Sequence, residues 1–444
     1  MAILKRSPAT RELPATFGEE ALRALPSAAK EPAWLSARRR EALERAAERA
    51  FPMRDDPQWR RTDPARFRLD GLTPAPAAGP GSGEALNALL RDLPQAEGRG
   101  GLVATVDGVV VREDVSPEVA AAGTVLAGFD SAARGHGDML QAGLPPATAR
   151  ADRWSHLNAA FVTGGALVRV PRGATVEAPL WVLHRVDAPG RAAFLHTVIH
   201  VEAGASVTVV ELLHGDDAAA SLAHQELDVR VEAGGRLRYL RIQELGAATA
   251  FLSSERLLLE RDASAEWGWG ALGAAVARSE MTASLRGEGS HAVLAGFYHG
   301  AGTRHLDHRT FQDHVKGHTT SDLLYKGALE QRGSSVYTGL IKVHKDAQRS
   351  DAYQANRNLL LADTARADSI PSLEIEANDV RCTHGATVGQ LDEEQLFYLR
   401  SRGIRRSEAA RLIVEGFYEP VFDRLGAESL RDLARARLTG RLIL

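Results

Sequence analysis

The chain has 444 residues, 44% of them apolar, a formal net charge of −3 and a single cysteine. Length and apolar content allow about three domains, or one elongated repeat domain, with a sizeable core. The balanced charge excludes an overall basic field for nucleic acid. Cys382 alone excludes an internal disulfide, and no apolar run approaches the ~20 residues that span a bilayer.

The first residues carry Lys5 and Arg6 with no apolar stretch behind them, so no signal peptide is expected. The expected setting is cytoplasmic, where a lone thiol stays reduced. Residues 1–98 read as an accessory helical region. Its clearest helix covers 31–49, where Trp34, Leu35, Leu43 and Ala46 punctuate a run of Arg and Glu, and Pro52 and Pro57 end it. Trp59-Arg60-Arg61-Thr62-Asp63-Pro64 reads as a polar turn anchored by an aromatic ring. Residues 71–83, with Pro74, Pro76 and Pro80, read as a linker. Residues 99–150 form a small mixed β segment and linker. In it Asp107-Gly108 separates two apolar runs, which predicts a hairpin.

From about 161 a repeat sets in, and the core is expected over 151–388. The stretches around Gly173, Gly204 and Gly234 each read as strand, sharp corner, strand. A fainter copy has Asp262 at its corner, a residue that tolerates the left-handed conformation. No unit shows a helical period, so βαβ connections do not fit. The constant period favours a β-solenoid, in which each coil buries its inward face against the next, over an antiparallel sandwich with chance glycine spacing. Gln354, Asn356 and Asn358 alternate late in the repeat and are expected to satisfy backbone groups at corners. After Gly389 the period turns helical, over 389–444. Asp392 caps a helix that Gly403 stops, Ser407 is placed to cap a second with Pro420 kinking or ending it, and a third covers 428–437.

Two clusters could carry chemistry. Cys382 and His384 stand at i and i+2, so on a strand they share a face with Cα atoms about 6.6 Å apart. Thiolate and imidazole could meet on zinc, or on iron in an iron–sulfur cluster. Two ligands do not complete a site, and a small buried Cys beside a hydrogen-bonded His is a common arrangement that the spacing alone favours over a metal. A Cys–His nucleophile is conceivable, but nothing beside it suggests an oxyanion hole. The second cluster is His299, His305, His308, His314 and His318. An extended strand over 305–314 puts His308 and His314 on one face and His305 with Asp307, Arg309 and Asp313 on the other. That split favours a hydrogen-bond network over a metal centre. The chain lacks a phosphate-binding G-x-x-x-x-G-K-[ST] loop, so it should not hydrolyse ATP itself.

Residues 379–391, read with 396–403 (Leu396-Phe397-Tyr398-Leu399-Arg400-Ser401-Arg402-Gly403), resemble the SufD side of the SufB/SufD family of the SUF iron–sulfur assembly system. Residues 347–356, 157–162 and 59–63 support the likeness. It covers about 150–425 well. The resemblance implies a mainly β fold, a right-handed parallel β-helix flanked by helical N-terminal and C-terminal subdomains. It implies a heterodimer with SufB and a SufC ABC-type ATPase docked on the C-terminal helices, through Leu396, Phe397, Leu399, Leu412, Ile413 and Phe417. His384, with Cys382 as an auxiliary ligand, would hold iron or a nascent Fe–S cluster at the SufB interface, with the remaining ligands supplied from SufB. The chain would then be a non-catalytic scaffold subunit. No motif speaks for or against a flavin.

Two other readings compete. β-Solenoids also host carbohydrate-active enzymes, for which Asp307, Arg309 and Asp313 would be the candidates. Against this stand the missing signal peptide and an aromatic content of only 6%, which leaves few rings to stack on sugars. The other is an iron-binding homodimer acting without SufB.

Overall fold

The computed structural model describes residues 12–74, 82–93, 96, 98–146, 152–218 and 220–442. Lys5, Arg6, Pro76 and Pro80 lie outside them. Helices α1 (Glu19–Arg23), α2 (Ala33–Glu48) and α3 (Ser82–Arg91) and the short strand β1 (Thr73–Pro74) precede the hairpin β2 (Gly101–Val106) and β3 (Val109–Val115). Then come α4 (Pro117–Ala121), β4 (Val125–Gly128), α5 (Phe129–Gly135), α6 (Gly137–Gly143) and α7 (Arg153–Phe161). The repeat follows as β5 (Ala166–Val170), β6 (Leu180–Val186), β7 (Arg191–Val201), β8 (Ser206–Gly215), β9 (Leu222–Val231), β10 (Arg236–Glu244), β11 (Ala250–Leu259), β12 (Ser264–Ala271), β13 (Val276–Leu285), β14 (His291–Gly300), β15 (His305–His314), β16 (Thr320–Leu329), β17 (Ser334–Val343), β18 (Asp351–Leu360), β19 (Arg366–Ile375) and β20 (Arg381–Gln390). Helices α8 (Glu393–Ser401), α9 (Arg406–Phe422) and α10 (Glu428–Thr439) close the chain.

From β5 to β20, odd strands pair only with odd and even only with even, all parallel. Each coil is therefore one strand from each sheet, and the chain winds a two-sheet parallel β-solenoid of about eight coils. The corner that follows each odd strand from β5 to β17 holds a left-handed residue: Gly173, Gly204, Gly234, Asp262, Gly289, His318 and Arg349 in succession. Only the glycines adopt this conformation without a steric penalty. Inside, Val, Leu, Ala and aromatic side chains from both sheets fill the lumen.

The two ends differ. At the N-terminal end, the even sheet is closed by the β2–β3 hairpin, with β2 parallel to β6 and β3 antiparallel to β2, and the odd sheet by β4 antiparallel to β5. The hairpin turns on Asp107 and Gly108, both at positive φ, as the sequence predicts. At the C-terminal end β19 and β20 are the last strands of their sheets. Their outer edges have no neighbour among the described residues, and Leu373, Ile375 and Val388 are each exposed by more than a third.

Helical material covers the outer faces. Phe17, Leu43, Phe67 and Trp154 of the N-terminal part pack on Phe194, Leu222, Leu252 and Val276 of the odd sheet. Helices α9 and α10 pack on the even sheet through Tyr418, Val421, Phe422 and Leu433. Three local expectations need correction. Ser407 caps nothing: α9 already starts at Arg406, with Arg405 in the cap position. Pro420 lies inside α9, which runs on to Phe422. Asn356 and Asn358 do not serve corners; they sit mid-strand in the lumen and bond the Tyr298 hydroxyl, and Asn356 also bonds the carbonyl of Tyr325. Their alternation was a sign of the inward face of a strand, not of a turn.

Candidate functional site

Cys382 and His384 lie on β20. The ladder sets Cys382 opposite Ala352 and His384 opposite Gln354, while Ala386 and Val388 oppose Asn356 and Asn358. All four β18 partners are buried. The β20 residues thus continue columns that point into the lumen in every coil below. Among the described residues no further coil covers them, so the column surfaces at the end of the solenoid: His384 is exposed and Cys382 half-buried. The pair shares a face, as the strand spacing predicts.

Burial pushes the Cys382 thiol above its usual range, and the Asp351 carboxylate adds to this. At neutral pH the group is a protonated thiol, which argues against a free-standing nucleophile. A metal would have to displace the proton to bind there. Beneath His384, Gln354 is fully buried, yet neither its amide nitrogen nor its oxygen has a hydrogen-bond partner among the described residues. A buried amide without partners is costly. Sequence reading missed Gln354 as a site residue, although the 30-residue step from 354 to 384 was a usable signal. Among the described residues, no three His, Cys, Asp or Glu side chains converge on one metal position.

The C-terminal helices separate the six residues expected to bind a partner. Leu396 is only 1% exposed and forms a small core with Ala409 and Ala410, against which Leu399 and Ile413 pack. It supports the helix pair from within. Phe417 is half-covered and lies under the Lys326 ammonium, 4.6 Å from the ring centre. The large apolar side chains left open on these helices are Phe397, Tyr398 and Leu412, exposed by 73%, 56% and 46%.

The histidine cluster disperses, as its strand pattern predicts. His308 and His314 face the lumen, where they bond Trp269, Ser279, Thr319 and Ser321. His305 faces outward and bonds Thr62, whose hydroxyl also donates to Asp307 at 2.6 Å. Arg278 joins this network through Asp307 at 2.8 Å and stacks 4.0 Å over Trp59. The Trp59–Asp63 stretch is therefore the clasp that fastens the N-terminal part to the odd sheet. His299 pairs with buried Glu330 at 3.3 Å, and His318 stands at a corner. Asp307 is fully buried and Asp313 is tied to Ser284 and His344, so these carboxylates line no open sugar cleft.

Fold and end site together define a two-sheet solenoid whose last coil is open, with a thiol and an imidazole on one face of its last strand. The family described as "SUF system FeS cluster assembly, SufBD core domain" matches residues 184–417, more than half of the chain. SufD of Escherichia coli is 32% identical over 305 residues, covering 68% of this chain and 72% of that protein. SufD of Bacillus subtilis is 28% identical over 424 residues, covering 93% and 95%. SufB of Bacillus subtilis is 29% identical over 350 residues, covering 77% and 75%. The chain belongs to the SufB/SufD family of SUF-system iron–sulfur cluster assembly proteins.

Proposed function

We propose that this chain acts as the SufD-type scaffold subunit of a SUF complex and builds nascent iron–sulfur clusters at the open end of its solenoid. The observation that carries this is the position of His384 and Cys382 on the uncovered lumen column of β20. A second, SufB-like solenoid set against that end would cover the exposed Leu373, Ile375 and Val388 and supply the missing ligands. His384 would hold iron through its imidazole. Cys382 would join as an auxiliary thiolate once metal displaces its proton. Iron and sulfide are substrates here, gathered and passed on. The exposed side chains of α8 and α9, Phe397, Tyr398 and Leu412, would take the SufC ATPase, whose hydrolysis would drive rearrangement at the solenoid end. The test is reconstitution of the complex with His384→Ala. Loss of most iron and sulfide is expected. Unchanged loading overturns the assignment of His384.

A further inference from the structure

Helix α9 does more than lie on the solenoid. Tyr418 is fully buried, and its hydroxyl accepts a hydrogen bond from the Ala328 backbone N–H at 2.7 Å and donates one to the Tyr298 carbonyl at 2.6 Å. Ala328 belongs to β16 and Tyr298 to β14, neighbours in the even sheet with Tyr298 opposite Gly327. In such a parallel register the N–H of residue 328 faces the carbonyl of residue 298. A side chain from the C-terminal helices is thus a rung of the solenoid ladder. Two further contacts hold α9 and the turn after it to the same strand: Lys326 Nζ donates to the Phe417 carbonyl at 2.6 Å, and Arg424 pairs with Asp322 at 3.1 Å.

The same Tyr298 reaches toward the open end on its other side. Its ring enters the lumen, and its hydroxyl donates to Asn358 at 2.5 Å and accepts from Asn356 at 2.9 Å. Both lie on β18, beyond the intervening β16. The ring can lean that far because the residue opposite it is glycine: a Cβ on Gly327 would stand 1.9 Å from a Tyr298 ring carbon. Asn356 and Asn358 oppose Ala386 and Val388 on β20, one ladder step from His384. Hydrogen bonds therefore run without a break from α9 through the backbone and side chain of Tyr298 to the strand beneath Cys382 and His384.

We infer that Tyr418 and Tyr298 are positioning residues that couple the C-terminal helices to the terminal coil, so that a load applied at α8 and α9 is felt at Cys382 and His384. The inference rests on the proposed function for its purpose, but its mechanical content stands apart from it. Tyr418→Phe and Tyr298→Phe each remove one hydroxyl and keep the ring. Amide hydrogen exchange on the full chain reads the coupling. Either variant should speed exchange across residues 381–390 by about fivefold, the factor expected for one lost hydrogen bond, and leave β6 and β8 unchanged. The double variant should exceed the larger single effect only slightly, since both cut one path. Tyr337→Phe is the control: its hydroxyl bonds Thr310, off the path, and it should leave residues 381–390 unchanged. Faster exchange confined to α9 and Ala328, or an equal effect from Tyr337→Phe, overturns the coupling. In the assembled complex, Tyr418→Phe should keep ATP hydrolysis and lower cluster loading. If exchange responds as expected while His384→Ala still loads iron and sulfide fully, the coupling stands and the functional reading falls.

Discussion

Charge inside the solenoid is held at single residues, and these set its tolerance to change. Arg241 is fully buried in the lumen, where its guanidinium bonds Gln225, Ser253 and Glu255 and lies 4.0 Å over Trp269. Glu211 sits one coil away, bonded to His184, Thr197 and Tyr239. Arg241→Met would leave Glu255 buried without its counter-ion, and we expect a loss of about 3–5 kcal/mol in chemical denaturation. Replacing Glu255 by Gln in the same chain should restore part of it; no recovery would mean that packing on Trp269 dominates. We expect His308 and His314 to contribute to the pH dependence of stability. Burial holds both bases down to about 4 from the usual 6.5. The unfolded chain then binds more protons between those values, so their contribution is complete above pH 6.5 and fades as pH falls toward 4, by about 3 kcal/mol per histidine. His314→Gln should flatten the decline of the unfolding free energy across that window. An unchanged slope would show that carboxylates alone govern it.

At the scale of elements, the C-terminal helices divide support from contact in adjacent residues. Leu396→Ala should loosen the α8–α9 pair by about 2–4 kcal/mol, seen as faster amide exchange in α8. Phe397→Ser should leave the helix pair intact and weaken retention of the proposed ATPase partner in pull-down; equal retention would move the proposed docking site elsewhere. Residue pattern alone could not separate these two, because the turn that buries Leu396 is set by Ala409 and Ala410 on the next helix. The solenoid was more legible. Its corners announce themselves at Gly173, Gly204 and Gly234, and are harder to read where Gly289 falls off that spacing and where His318 and Arg349 fill the same place. The split of His305 from His308 and His314 was readable because strand alternation is local. The clasp from Thr62 to Asp307 and the rung made by Tyr418 were not, since each joins residues far apart in sequence whose meeting depends on how the helical parts wrap the sheets. Cys382 and His384 could be found from spacing, and their exposure could not, because it follows from where the coils stop.

Across the whole molecule the difference between the ends decides what it can assemble with. The N-terminal end is closed by antiparallel strands, while β19 and β20 end in edges that present backbone donors and acceptors beside exposed apolar side chains. Such edges invite pairing with another strand. Asp368, Glu374 and Arg381 put charge along them, and Pro371 removes one donor from β19, which limits indiscriminate stacking. A second solenoid end, offering strands of matching length and its own apolar rim, fits this surface better than a helix or loop. Without its partner, the chain should therefore self-associate through the same end. Sedimentation at rising concentration should show a monomer–dimer equilibrium. Val388→Lys, which places a charge among the exposed apolar side chains, should raise the dissociation constant about tenfold or more. The unfolding transition should barely move, because Val388 is already 47% exposed in the single chain. Leu412→Lys, on the face of α9, should leave this equilibrium untouched. If Leu412→Lys disrupts the dimer and Val388→Lys does not, the helices rather than the solenoid end form the contact.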